Sequence, residues 1–120
     1  MKEDDIIKGK LELLYQILNE ITIGKVYYGI NSSGDENYSL MPFIVYQEIS
    51  KRGITYADDM AQIRISTIQV TLVTEKKDPL IEAKLEDAFI SNGLEYQMLT
   101  EYLNSDNSIN RVYEVRMEVM

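Results

Sequence analysis

With 120 residues, 45% hydrophobic and 27% charged, the chain is sized for one domain, 1–120, with a core of its own. It contains no cysteine and no histidine, which excludes disulfides, a thiol nucleophile, a Ser-His-Asp triad and zinc held by Cys or His. The net charge of −8 repels nucleic-acid phosphates rather than gripping them.

The start, MKEDDIIKGK, lacks the basic opening and apolar run of a signal peptide. No apolar run approaches the roughly 20 residues that span a bilayer, so a soluble, cytoplasmic protein with no membrane partner is expected. Ile7, Leu11, Leu14, Leu18 and Ile21 recur at spacings of four and three, and Leu13 and Ile17 broaden the stripe. This predicts an amphipathic helix over 6–20, stopped near Gly24. Its apolar face is expected to pack on the domain's own sheet.

Val26 to Ile30 reads as a short strand, and Asn31 to Asn37 as an exposed polar connector. Pro42 to Ile49 reads as a strand with proline at its first position, where the missing N–H is tolerated. Both of its faces are apolar, which predicts cover on the outer face as well. Tyr56 to Asp59 reads as a turn, and Gln62 to Thr74 as a long strand rich in β-branched residues. Its alternation slips between Ile65 and Ile68, predicting a bulge near Ser66 and Thr67.

Asp78 then fits an N-cap and Pro79 a first helical residue. Ile81, Leu85, Ala88 and Phe89 fall on one face of that helix, and Asn92-Gly93 supplies a left-handed stop. Leu94, Tyr96, Met98 and Tyr102 alternate, as do Tyr113, Val115, Met117 and Val119, with a turn over Ser105 to Asn110. These two runs read as an antiparallel hairpin with one solvated face. The order is α-β-β-β-α-β-β, which predicts an α+β fold: a mainly antiparallel β-sheet with two helices packed on one side.

Candidate chemistry is sparse. Asp58-Asp59 is an acidic pair of the kind that contributes to Mg²⁺ sites, but adjacent strand residues point to opposite faces, and a solvated turn accounts for them better. Glu75-Lys76-Lys77-Asp78 reads as a solvated corner or as a charged contact with a partner. No GxGxxG or GxxxxGK[ST] phosphate loop is present. Nine tyrosines against two phenylalanines and no tryptophan suit half-buried sheet positions and interfaces. No catalytic, cofactor or metal residue is predicted, and the chain is expected not to be an enzyme.

PFIVYQEI at Pro42 to Ile49, TYADD at Thr55 to Asp59, IQVTLVTEKKDP at Ile68 to Pro79, and the closing hairpin together resemble the small tail-terminator, or tail-completion, proteins of long-tailed phages and prophages of Gram-positive bacteria. The resemblance covers about 40–120, is most specific where the strand runs into TEKKDP and the helix, and includes no catalytic signature. It implies a structural role. Such proteins form a homo-oligomeric ring, commonly a hexamer, that ends the tail tube and offers a surface to the head-completion connector. It implies assembly in the host cytoplasm, residence in the virion tail, and DNA passing through the lumen without being specifically bound. An acidic wall suits that passage. The flanks of the Gln62–Thr74 strand are then the expected subunit interface: Tyr56, Asp58, Asp59, Glu75, Lys76 and Lys77. The alternative expectation is a small ligand-binding or regulatory α+β module.

Overall fold

The computed structural model describes residues 3–23, 25–29, 41–55 and 62–119. In chain order the elements are α1 (Glu3–Thr22), β1 (Val26–Tyr28), β2 (Phe43–Thr55), β3 (Gln62–Thr74), α2 (Pro79–Ser91), β4 (Glu95–Leu103) and β5 (Ile109–Val119). The strands form one sheet in the order β1-β2-β3-β5-β4. The β2–β3, β3–β5 and β4–β5 pairs are antiparallel, whereas β1 runs parallel to β2. The fold is α+β as the sequence predicts, but the sheet is mixed.

Register explains the core. Directly opposed residues on paired strands share a face, so the ladders place Tyr46, Val70, Tyr113 and Met98 in one row and Glu48, Ile68, Val115 and Tyr96 in the next. Ile44 and Leu72 extend this face, and Leu14, Leu18 and Ile21 of α1 with Leu85 and Phe89 of α2 cover it. Both helices therefore lie on one side of the sheet. Leu14, Leu18, Leu85, Phe89, Ile68, Val70, Tyr113 and Val115 are fully buried, each worth roughly 1.5–3 kcal/mol of transfer free energy.

Three local expectations change, and a fourth falls outside the described residues. Helix α1 is longer than 6–20 at both ends, and Leu13 is 48% exposed rather than part of the buried stripe. The predicted stop at Gly24 lies outside the described residues; the helix ends at Thr22, and Ile23 takes the positive φ of 52°. The bulge is not in β3, whose ladder with β5 is continuous through Ser66 and Thr67. It sits opposite, where β2 skips Ile49 between Glu48 and Ser50. The slip along β3 has another cause: Ser66 takes a buried position on the helix side while Ile65 points to the other face. Finally, β4 skips Leu99, so Tyr102 pairs with Asn110 on the face opposite Tyr96 and Met98.

Helix α2 follows its sequence signals closely. The Asp78 carboxylate accepts the Ile81 N–H at 3.3 Å and Pro79 opens the helix. At its end Gly93 takes φ 68°, the Leu94 N–H reaches the Phe89 carbonyl at 2.9 Å and the Gly93 N–H the Ile90 carbonyl at 3.1 Å. This pair of bonds is a Schellman motif, which satisfies two carbonyls the helix leaves open. A Cβ built on Gly93 meets no atom within 4 Å, so Gly93→Ala tests backbone strain alone. It should cost about 1 kcal/mol in urea unfolding. Ile23→Gly, at a site 87% exposed, should not destabilise and should gain a few tenths of a kcal/mol or more as the left-handed strain is relieved.

Candidate functional site

Of the residues expected at an interface, Tyr56, Asp58 and Asp59 lie outside the described residues. Glu75, Lys76 and Lys77 form the exposed corner between β3 and α2. They line a shallow surface depression with Met41, Pro42, Thr74 and Asp78. Lys77 is held within the chain: its ammonium donates to Glu101 Oε1 at 2.7 Å and to Glu82 Oε1 at 2.9 Å. The contact with Glu101 first, then that with Glu82, raises the Lys77 pKa above its ordinary value. The corner thus presents Glu75 and Lys76 outward while Lys77 ties α2 to β4.

Lys77 belongs to a charged cluster that sequence reasoning did not assemble. Arg111 on β5 stands directly opposite Glu101 on β4. Its guanidinium lies 3.1 Å from Glu101 Oε1, 3.1 Å from Glu86 Oε2 and 3.6 Å from Glu82 Oε1. Arg111 Nε donates to the Tyr113 hydroxyl at 2.6 Å, and that hydroxyl donates to Glu86 Oε2 at 2.6 Å. Phe89, Tyr96 and Tyr113 pack as an aromatic trio beneath it, with ring centroids 5.3–6.0 Å apart. The one available signal was the helical spacing of Glu82 and Glu86; nothing in the sequence brings them to Arg111 and Glu101.

The cluster runs from protein to water: the Arg111 and Glu82 side chains are 17% and 9% exposed, Glu86 and Glu101 28% and 29%, and Lys77 48%. Burial would raise the Glu86 pKa, but the hydrogen bonds from Tyr113 and Arg111 outweigh it and the pKa is lowered. The Lys77 contact lowers that of Glu101. Burial and then the bond to Glu86 push the Tyr113 phenol up. Among the described residues no group of three or more Asp or Glu is placed to hold a metal ion, and no helix is long and apolar enough to cross a membrane.

The helix-free face has a different chemistry. Register sets Gln47, Gln69, Glu114 and Gln97 in one row across β2, β3, β5 and β4. On one side of it lies Ser50, Thr67, Arg116 and Glu95; on the other, Val45, Thr71, Val112 and Thr100. Apolar side chains begin with Val45 and Val112 and continue in the next row, where Phe43 and Val73 are buried beside Asn110 and Tyr102. The outer cover predicted from the two apolar faces of β2 therefore concerns one end of the sheet, and the middle is an amide and hydroxyl surface.

Among the described residues, both sheet edges carry backbone with no paired strand. Beyond β5, β4 has no further paired strand among the described residues, and its side chains are nearly all exposed. On the far side, β1 covers only Ile44 to Tyr46 of β2, leaving Gln47 to Thr55 with β3 as its one paired strand among the described residues.

No protein-family model matches the sequence, and no curated protein matches it. Among solved structures, a chain of the virion of a native gene transfer agent particle is similar, with 12% identity, a TM-score of 0.46, and coverage of 88% of this chain and 91% of that chain.

The cluster makes a prediction with a sign. Glu86 and Glu101 have folded pKa values below the ordinary 4.5, so their stabilisation is whole above that pH and is lost as pH falls through the folded values. Arg111→Met leaves Glu82, Glu86 and Glu101 without a shared partner, though Glu101 keeps Lys77 and Glu86 keeps Tyr113, and should cost about 1–3 kcal/mol at neutral pH. Urea unfolding repeated about one unit below 4.5 should show a smaller loss, because the carboxylates are then largely protonated in the unfolded chain and in the variant. A pH-independent loss would point to lost packing alone.

Proposed function

We propose that this chain is a non-enzymatic phage or prophage assembly protein. In this reading it closes the head-proximal end of a tail tube as a homo-oligomeric ring, stops tube elongation and presents a surface to the head-completion protein. It assembles in the host cytoplasm and ends in the virion tail. The ordered resemblance of the segments from Pro42 to the closing hairpin is the observation that carries the reading. The physical chemistry of the slab supports it. One face is sealed by helices, and the other is a wall of amides and hydroxyls with Glu95, Glu114 and Glu118 against Arg52 and Arg116. Such a wall on a chain of net charge −8 holds a passing polyanion weakly. The helix-free face is therefore assigned to the lumen.

Native mass spectrometry and negative-stain microscopy at high protein concentration, with and without tail-tube protein, test the reading. Rings, and tubes capped at one end, are expected. A strict monomer that neither forms rings nor binds tube ends overturns it. The lumen assignment has its own test. Gln69→Lys with Gln97→Lys places two cations on the central row, and the assembled variant should retain double-stranded DNA in a low-salt filter assay where the parent does not. Equal behaviour of the two would move the lumen to another face.

A further inference from the structure

The two open edges of the sheet differ in a way that suits them to each other. β4 is nine residues long, and Met98, Leu99, Tyr102 and Leu103 are 42%, 44%, 49% and 68% exposed along it. A long apolar edge is a template for pairing, and monomeric proteins normally cover or charge it. β4 carries two carboxylates, Glu95 and Glu101, and no cation. The stretch of β2 left unpaired on this side among the described residues instead exposes Lys51 and Arg52, while its one carboxylate, Glu48, is half-buried and accepts from Ser66.

Strand direction adds a second condition. β2, β3, β5 and β4 alternate in direction, so β4 runs opposite to β2. A repeat generated by rotation about an axis along the strands brings β4 of one copy beside β2 of the next in antiparallel orientation, a well-formed ladder. That contact is heterologous and closes into a ring when the rotation divides a full turn. The rival arrangement, β4 against β4 about a two-fold axis, joins two edges that carry carboxylates and no cation of their own, without the opposite charges that β2 offers.

We propose that β4 of one copy adds to the open Gln47–Thr55 stretch of β2 in the next copy, so that the sheet continues from subunit to subunit. The proposal rests on the ring reading above and names its interface. The bulges at Ile49 and Leu99 interrupt each edge once and limit the registers in which the two can join.

The absence of native cysteine makes thiol cross-linking unambiguous. One chain carries Ser50→Cys; a second carries Gln97→Cys, Leu99→Cys or Thr100→Cys in turn. Within one copy, β2 and β4 are three strand spacings apart, about 14 Å, too far for a disulfide, which needs Cα atoms within about 7 Å. Oxidation of the mixed chains should give the heterodimer for at least one pair. Chains carrying both substitutions should give a ladder of covalent oligomers, and single-cysteine β4 chains alone should give none. In parallel, Lys51→Glu with Arg52→Glu should weaken self-association about tenfold or more, with unchanged circular dichroism, and adding Glu95→Lys should restore part of it. Oligomers without β2–β4 cross-links, or with β4–β4 cross-links, overturn this interface and leave the ring reading standing. A protein that stays monomeric at every concentration and with tail-tube protein overturns the ring reading, and the interface with it.

Discussion

The register of β3 is the constraint from which the rest of the molecule follows. This strand is paired along nearly its whole length to β2 on one side and β5 on the other. Ile68, Val70 and Leu72 point from it to the helices, while Gln69 and Thr71 point away. A slip of one residue would exchange these sets and put amides under Leu18 and Phe89. Because β2 and β5 are aligned to β3 and β4 is aligned to β5, each row across the sheet inherits its chemistry from this one strand.

That inheritance links the core to the charged cluster. The row through Leu72 passes to Arg111 and then to Glu101, so the sheet changes from apolar to ionic within two strand spacings. Helix α2 crosses the same boundary, with Leu85 in the core, Phe89 packed on Tyr96 and Tyr113, and Glu82 and Glu86 against Arg111. Lys77 fastens the start of that helix to β4 through Glu101 and Glu82. A part-buried ionic cluster is weak evidence for net stability, since desolvation and solvent screening offset much of its attraction. Its plainer effect here is geometric, because α2, β4 and β5 must be in register for three carboxylates, two cations and a phenol to satisfy one another.

The same ladders that build the core leave its two margins open. A three-residue β1 covers a fraction of β2, and β4 ends the sheet with its side chains in water. One margin bears cations and the other carboxylates, on a chain whose overall balance is strongly acidic. The hollows on this surface are shallow and open, as at the Glu75 to Asp78 corner.

Wherever the signal is local, the sequence by itself determined the outcome. The apolar stripe of α1, the bounds of β3, the Asp78-Pro79 start and Gly93 stop of α2, and the closing hairpin each depend on neighbours within a few residues. Helical and strand periodicity also marked Leu14, Leu18, Leu85, Phe89, Tyr113 and Val115, which are core residues. Of the expected interface residues, only Glu75, Lys76 and Lys77 fall among those described; all three are exposed, and the Lys77 ammonium is engaged by Glu82 and Glu101. Tertiary structure alone decided the rest. The alternation slip in β3 suggested an extra residue there, but it reflects a polar Ser66 at a buried position with Ile65 on the other face, and the bulge of this strand pair is at Ile49 on β2, where one strand's pattern could not show it. The parallel β1, the meeting of Glu82, Glu86, Glu101 and Arg111, and the two open edges arise from contacts between segments 20 or more residues apart in several cases, which no short-range pattern encodes.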